Sequence, residues 1–181
     1  MSRIFGPVRQ LGYVVRDIEA AMAHWTGRLG VGPFHYFADL PVSEVRYRGE
    51  PTEIRIAAAV ANDGDIQIRL IQQTNDAPSH YLDHLDRHGE VLHHTAAWAS
   101  NYDGVVRRVL QAGWVPLQTA RVSGNRQALF ETQGDYPPTT VGIVDVSGLT
   151  GRFNEKVKLA SEEWDGSEPI IRYGQRDDVP V

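Results

Sequence analysis

His94, Arg69 and the trio His80, His84 and His88 are the residues of this chain whose types and spacing could do chemistry. An imidazole titrates near ~6.5, so His94 either gives and takes a proton at neutral pH or serves as a hydrogen-bonded core histidine. Arg69 lies in an alternating run, Ile66-Gln67-Ile68-Arg69-Leu70-Ile71. A guanidinium stays charged, and burying it unpaired costs several kcal/mol, so an anion must lie beside it. That anion belongs either to the protein, with Glu53 and Glu131 as candidates, or to a ligand. The trio recurs every four residues and would form one helix stripe, a geometry that can hold a metal between two imidazoles. No carboxylate spacing completes a catalytic motif around it, so an exposed stripe without a metal is expected. His93 should point away from His94 under strand alternation and act structurally. His24 and His35 are expected at surface or rim positions.

Composition narrows the function classes. A chain of 181 residues with 41% hydrophobic content can bury one substantial core or two small modules packed together. A net charge of −5 and a pI near 5.8 give no general attraction to nucleic acid or anionic lipid. No run approaches membrane-spanning length, and the N-terminus lacks the basic-then-apolar character of a secretory signal. Without cysteine there is no disulfide, thiolate metal site or Cys nucleophile, which makes a cytoplasmic location the default expectation.

The elements that must position these residues form a repeated pattern. Val8 to Trp25 reads as a short apolar strand, a capping Asp17 and an amphipathic helix; Leu92 to Val109 repeats it with Asn101 as the cap. Gly30 and Gly113 end the two helices. Strands are predicted at Phe34–Phe37, Glu53–Ala61 and Asp65–Gln73, with Asn62-Asp-Gly64 as a hairpin turn. A linking helix follows at Ser79–His88. The second copy continues with strands Val115–Val122, Arg126–Thr132 and Thr139–Val146, broken by a Gly/Pro loop at 134–138. The expectation is an α+β fold of two βαβββ modules at 1–75 and 91–148, joined by residues 76–90. Residues 149–181 add a docked helix, with Phe153, Val157, Ala160 and Trp164 at helical spacing, and then an arm or frayed tail.

This layout, opened by Gln10-Leu-Gly-Tyr-Val-Val-Arg-Asp17 and by Leu92-His-His-Thr-Ala-Ala-Trp98, resembles the vicinal oxygen chelate superfamily. Glyoxalase I, methylmalonyl-CoA epimerase, extradiol dioxygenases and bleomycin-binding proteins are its members. The resemblance implies an incurved open barrel around one cavity that commonly holds a divalent metal on four side chains. At the matching positions this chain has Gln10, Arg69, His94 and Gly142. Arginine has no free lone pair for a metal, so the expectation is that no metal or other cofactor is used and that Arg69 stands in as a fixed cation.

Strand alternation from Gln10 and His94 puts Gly12, Val14, Ala96, Trp98, Gln67, Arg69, Ile71 and Gly142 on the cavity face, with Phe130 expected as an apolar wall. Two functions follow. In the first, a metal-independent isomerase, epimerase or lyase moves a proton beside the carbonyl of a small organic acid, thioester or natural-product intermediate. His94 and Glu53 would handle the proton while Arg69 with Gln10 or Gln67 stabilises the enolate oxygen. In the second, the cavity traps a drug or metabolite without chemistry, using Trp98 and Phe130 as a stacking surface. Both imply a small-molecule partner rather than nucleic acid or membrane, and the superfamily resemblance adds a possible homodimer.

Overall fold

The computed structural model describes residues 1–131 and 139–174; the Gly/Pro loop expected at 134–138 and the end of the tail lie outside the described residues. Local chemistry sets the helix boundaries. Asp17 accepts from the Ala20 amide to start α1 (Ile18–Leu29), and Gly30 ends it in the left-handed conformation at φ 68°. Ser79 caps α2 (His80–His88) and Asn101 caps α3 (Tyr102–Gln111) in the same way. The fourth helix, α4 (Leu149–Glu162), begins at Gly148 without a side-chain cap and relies on packing instead.

The strands are β1 (Gln10–Val14), β2 (Phe34–Leu40), β3 (Val42–Tyr47), β4 (Glu50–Pro51), β5 (Ile56–Asp63), β6 (Ile66–Gln73), β7 (Leu92–Ala99), β8 (Val115–Val122), β9 (Asn125–Glu131), β10 (Thr140–Asp145) and β11 (Ile170–Tyr173). They form one curved, unclosed sheet in the order β11-β2-β5-β6-β1-β7-β10-β9-β8-β3-β4. Each module contributes four consecutive strands of this order, and the modules meet where β1 pairs antiparallel with β7. Only Pro41 separates β2 from β3, yet these strands pair with β5 and β8 respectively, so the chain itself spans the gap between the two halves.

Three strands were not expected from sequence. In β3, Glu44 has φ 51° and the register against β8 shifts between Ser43 and Arg46, so the run carries no clean alternation. The edge strand β4 is two residues long and contains Pro51. Residues 167–174 form an arm: β11 runs parallel to β2, with Ile170 beside Phe34.

Alternation then divides the side chains. On the outer face α1 covers Ile68, Leu70 and Ala59 with Ile18 and Met22, and α3 covers Ala97, Ala99 and Ile143 with Tyr102 and Val109. On the inner face α2 turns Tyr81 and Leu85 against Val14, Ile56, Ile71 and Leu129, filling one end of the interior. Burying each Val, Leu, Ile or Met side chain among these contributes roughly 1.5–3 kcal/mol. The other end is covered by α4 and holds a cavity. Among the described residues no helix is long and apolar enough to cross a membrane.

Candidate functional site

Arg69 sits in that cavity, only 5% exposed, with Nη1 donating to Gln127 Oε1 at 3.0 Å on β9 across the interior. Gln10 and Gln67 are register partners on parallel strands, and Gln10 Nε2 donates to Gln67 Oε1 at 2.6 Å. Gln67 Nε2 in turn donates to Asn154 Oδ1 of α4 at 3.3 Å. The walls are Phe37, Val60, Val144 and Phe153, and the volume is about 120 Å³. One cation, a run of carboxamides and an apolar wall therefore converge in a small space.

The sequence left open whether Glu53 or Glu131 pairs with Arg69. Among the described residues no carboxylate lies within salt-bridge distance of the guanidinium, and no acid figures among the charges acting on it. Burial pulls its pKa below the usual arginine value, with Tyr81 the only charge resisting this. Glu53 is exposed on the loop after β4, where its carbonyl accepts from the Asn75 side chain. Glu131 lines a different cavity.

His94 faces the interior but is not among the residues lining the Arg69 cavity. Gly12 is the register partner of Arg69 on one side and His94 on the other, so the two side chains flank a residue with none of its own. A Cβ on Gly12 would lie 2.0 Å from His94 Cε1, so only glycine fits beneath this ring. Gly142 sits on the same face, where its missing Cβ leaves room beside Ala96 and His94 Cδ2. Burial first, and then Arg69, His80 and His84, push the His94 pKa down to about 3. The ring is neutral at physiological pH.

Several expectations need correction. Phe130 is on the outer face, packed with Phe5 beneath α3, because β9 turns Asn125, Gln127 and Leu129 inward instead. Trp98 does not line the cavity, and its indole Nε1 is buried without a hydrogen-bond partner among the described residues. The trio is not an exposed stripe, since His80 and His84 are buried. His93 does not point away from His94: the β1–β7 register slips between Gly12 and Tyr13, a bulge that turns both imidazoles together with their Nδ1 atoms 2.7 Å apart. The rings of His80, tilted, and His84, edge-on, each lie 4.6 Å from the His93 ring, and these residues line a second cavity together with His94. Among the described residues no group of three or more His, Asp or Glu is placed to hold a metal ion. His35 is fully buried, with Nδ1 2.8 Å from the Tyr173 hydroxyl of β11.

Sequence reasoning missed Gln127, Asn154, Phe37 and Phe153. The signal for Gln127 was the parity of β9, readable from the Ser123-Gly-Asn125 turn. Asn154 is a polar residue beside the apolar stripe of α4, and its burial is its signature.

Residues 9–130 match the profile of the glyoxalase/bleomycin resistance protein/dioxygenase superfamily. The chain belongs to that superfamily. No curated protein matches the sequence. Among solved structures, this superfamily member is similar to methylmalonyl-CoA epimerase from Mycobacterium tuberculosis, at 17% identity over 80% of this chain and 90% of that one, with a TM-score of 0.53. It is also similar to a Streptomyces coelicolor methylmalonyl-CoA epimerase in complex with 2-nitronate-propionyl-CoA, at 19% identity over 77% and 96% with a TM-score of 0.52. A hypothetical protein from Bacillus halodurans matches at 16% identity over 76% and 92%, again at 0.52. Likeness at such identity shows the fold.

The donor set does not fit the divalent metal that the superfamily commonly holds. At the four matching positions Gln10 offers one neutral amide oxygen, which has no hydrogen-bond partner among the described residues while its Nε2 donates to Gln67; Arg69 offers no lone pair, Gly142 has no side chain, and His94 alone is an imidazole, so at most two donors are present.

The buried imidazoles make stability depend on pH. Burial is the main cause that lowers His35 and His80 to about 4 and His94 to about 3; His80 also feels His84, Asp83, Arg48 and Arg87. His84 and His93 are lowered for the same reason. The unfolded chain takes up these protons near ~6.5 and the folded chain does not, so the stabilisation is complete above that pH and falls as pH drops toward 4. Each histidine contributes a slope of up to about 1.4 kcal/mol per pH unit. Urea midpoints should therefore decline steeply from pH 6.5 to 4.5; a flat profile would mean that these rings charge in the folded protein.

Proposed function

We propose that this chain binds a small organic anion through Arg69, the guanidinium taking the part that a divalent metal plays elsewhere in the superfamily. The observation that carries this reading is a buried guanidinium that meets no carboxylate among the described residues, set in a cavity floored by Gln10, Gln67 and Gln127. A buried unpaired charge is expensive to keep, and a site that meets its counterion in a ligand accounts for the cost. A carboxylate at Arg69 gains charge-assisted hydrogen bonds in a water-poor setting, and the carboxamides orient it.

A second reading adds proton transfer beside a carbonyl, of the isomerase or epimerase kind. It is favoured by the placement of Arg69 and His94 on either side of Gly12. An anion at Arg69 offsets one of the charges that depress His94 and moves its pKa upward, making the neutral ring a better proton acceptor. Against turnover stands the lining itself, in which Arg69 is the only ionisable side chain among the described residues.

One experiment separates the readings. Enolisable 2-oxo acids are incubated with the protein in deuterium oxide and followed by mass spectrometry. Retention without deuterium uptake supports binding alone, whereas uptake lost in His94→Ala supports proton transfer. Failure of every small carboxylate to bind, by calorimetry, removes both.

A further inference from the structure

The geometry points to a narrower ligand class, and this inference rests on the anion reading above: the occupant is a free monocarboxylate with an apolar body about the size of one ring, and α4 sets that limit. Size comes first. A dry apolar cavity of about 150 Å³ accepts benzene; this one is smaller, about 120 Å³, and not fully enclosed, so one ring is the upper limit for the apolar body, with Arg69 and its carboxamide neighbours at hand for a carboxylate.

Charge narrows the class further. Among the described residues Arg69 is the sole ionisable residue of the lining, so one negative charge is balanced and a second would be left unpaired. A thioester of the same acid has lost the charge that Arg69 meets, and it also brings a carrier far larger than the cavity.

The wall that enforces size is α4, which lies beyond the 9–130 superfamily match and supplies Leu149, Phe153 and Asn154 to the lining. Three contacts hold this helix on the barrel: Lys158 with Asp65 at 2.7 Å, the Asn62 amide with Ser161 Oγ at 3.0 Å, and Gln67 with Asn154. Phe153 is further fixed by edge contacts with His35 and Phe37, both at 5.6 Å between ring centroids. The C-terminal addition is thus the specificity-determining element of the site.

The test is calorimetric titration of the full chain with benzoate, benzamide, phthalate, 2-naphthoate and benzoyl-CoA. Benzoate is expected to bind at least 10-fold tighter than each of the other four, and Phe153→Ala to narrow the gap between naphthoate and benzoate. Naphthoate, phthalate or benzoyl-CoA binding as tightly as benzoate overturns the ligand class while leaving the anion reading intact. Benzamide matching benzoate, or no binding by any probe, overturns the anion reading and this inference with it.

Discussion

Arg69→Met lowers affinity for benzoate by about 100-fold or more while leaving the protein as stable as before, or more stable. Hydrogen bonds to a charged group contribute about 1.5–3 kcal/mol each, and 2.7 kcal/mol corresponds to about 100-fold in a dissociation constant. Methionine fills similar space without charge and removes a guanidinium whose burial no carboxylate among the described residues offsets. The loss of its bond to Gln127 leaves one amide oxygen short of a donor, a cost of about 1–3 kcal/mol that works against the gain. A structural arginine behaves in the opposite way, since breaking a buried ion pair costs about 3–5 kcal/mol. Urea denaturation beside calorimetry distinguishes the cases. A large drop in stability would place Arg69 among the structural residues.

Gly12→Ala is the second large effect. The new methyl would sit 2.0 Å from His94 Cε1 and 2.5 Å from Nδ1, far inside contact distance. His94 has little room to yield, because His93 Nδ1 lies 2.7 Å from its own Nδ1 and the space over Gly142 is bounded by Ala96. Overpacking of this kind costs about 1–3 kcal/mol. The signature is non-additivity: the double variant Gly12→Ala with His94→Ala should be more stable than Gly12→Ala alone, because removing the ring relieves the clash. A Gly12→Ala protein with an unchanged urea midpoint would show that His94 is not packed over Gly12.

The helices were legible because their signals are local. Asp17 and Asn101 cap α1 and α3 as read, and Gly30 marks the end of α1, since a cap depends only on residues within a turn of it. The inner position of Arg69 was legible for a related reason: β6 alternates without interruption from Ile66 to Gln73. What failed was parity across irregularities. The bulge at His93 reverses the facing that strict alternation assigns, and nothing in Leu92-His-His-Thr95 announces it, because the slip is defined by the partner strand β1. Phe130 was misplaced because a large aromatic residue fits an inner wall or an outer core equally well, and the turn before β9 decides between them. The role of α4 was hidden for another reason. Its stripe shows that it docks, but only the folded sheet shows that Asn154 meets Gln67.

In the proposed function a fixed organic cation, Arg69, replaces an inorganic one. This replacement is tested most directly by titrating benzoate into chelator-treated wild-type protein and again after adding zinc, magnesium or manganese. The same affinity is expected in every case, because Arg69 is present throughout. Binding that vanishes on chelation and returns with a divalent ion would contradict it.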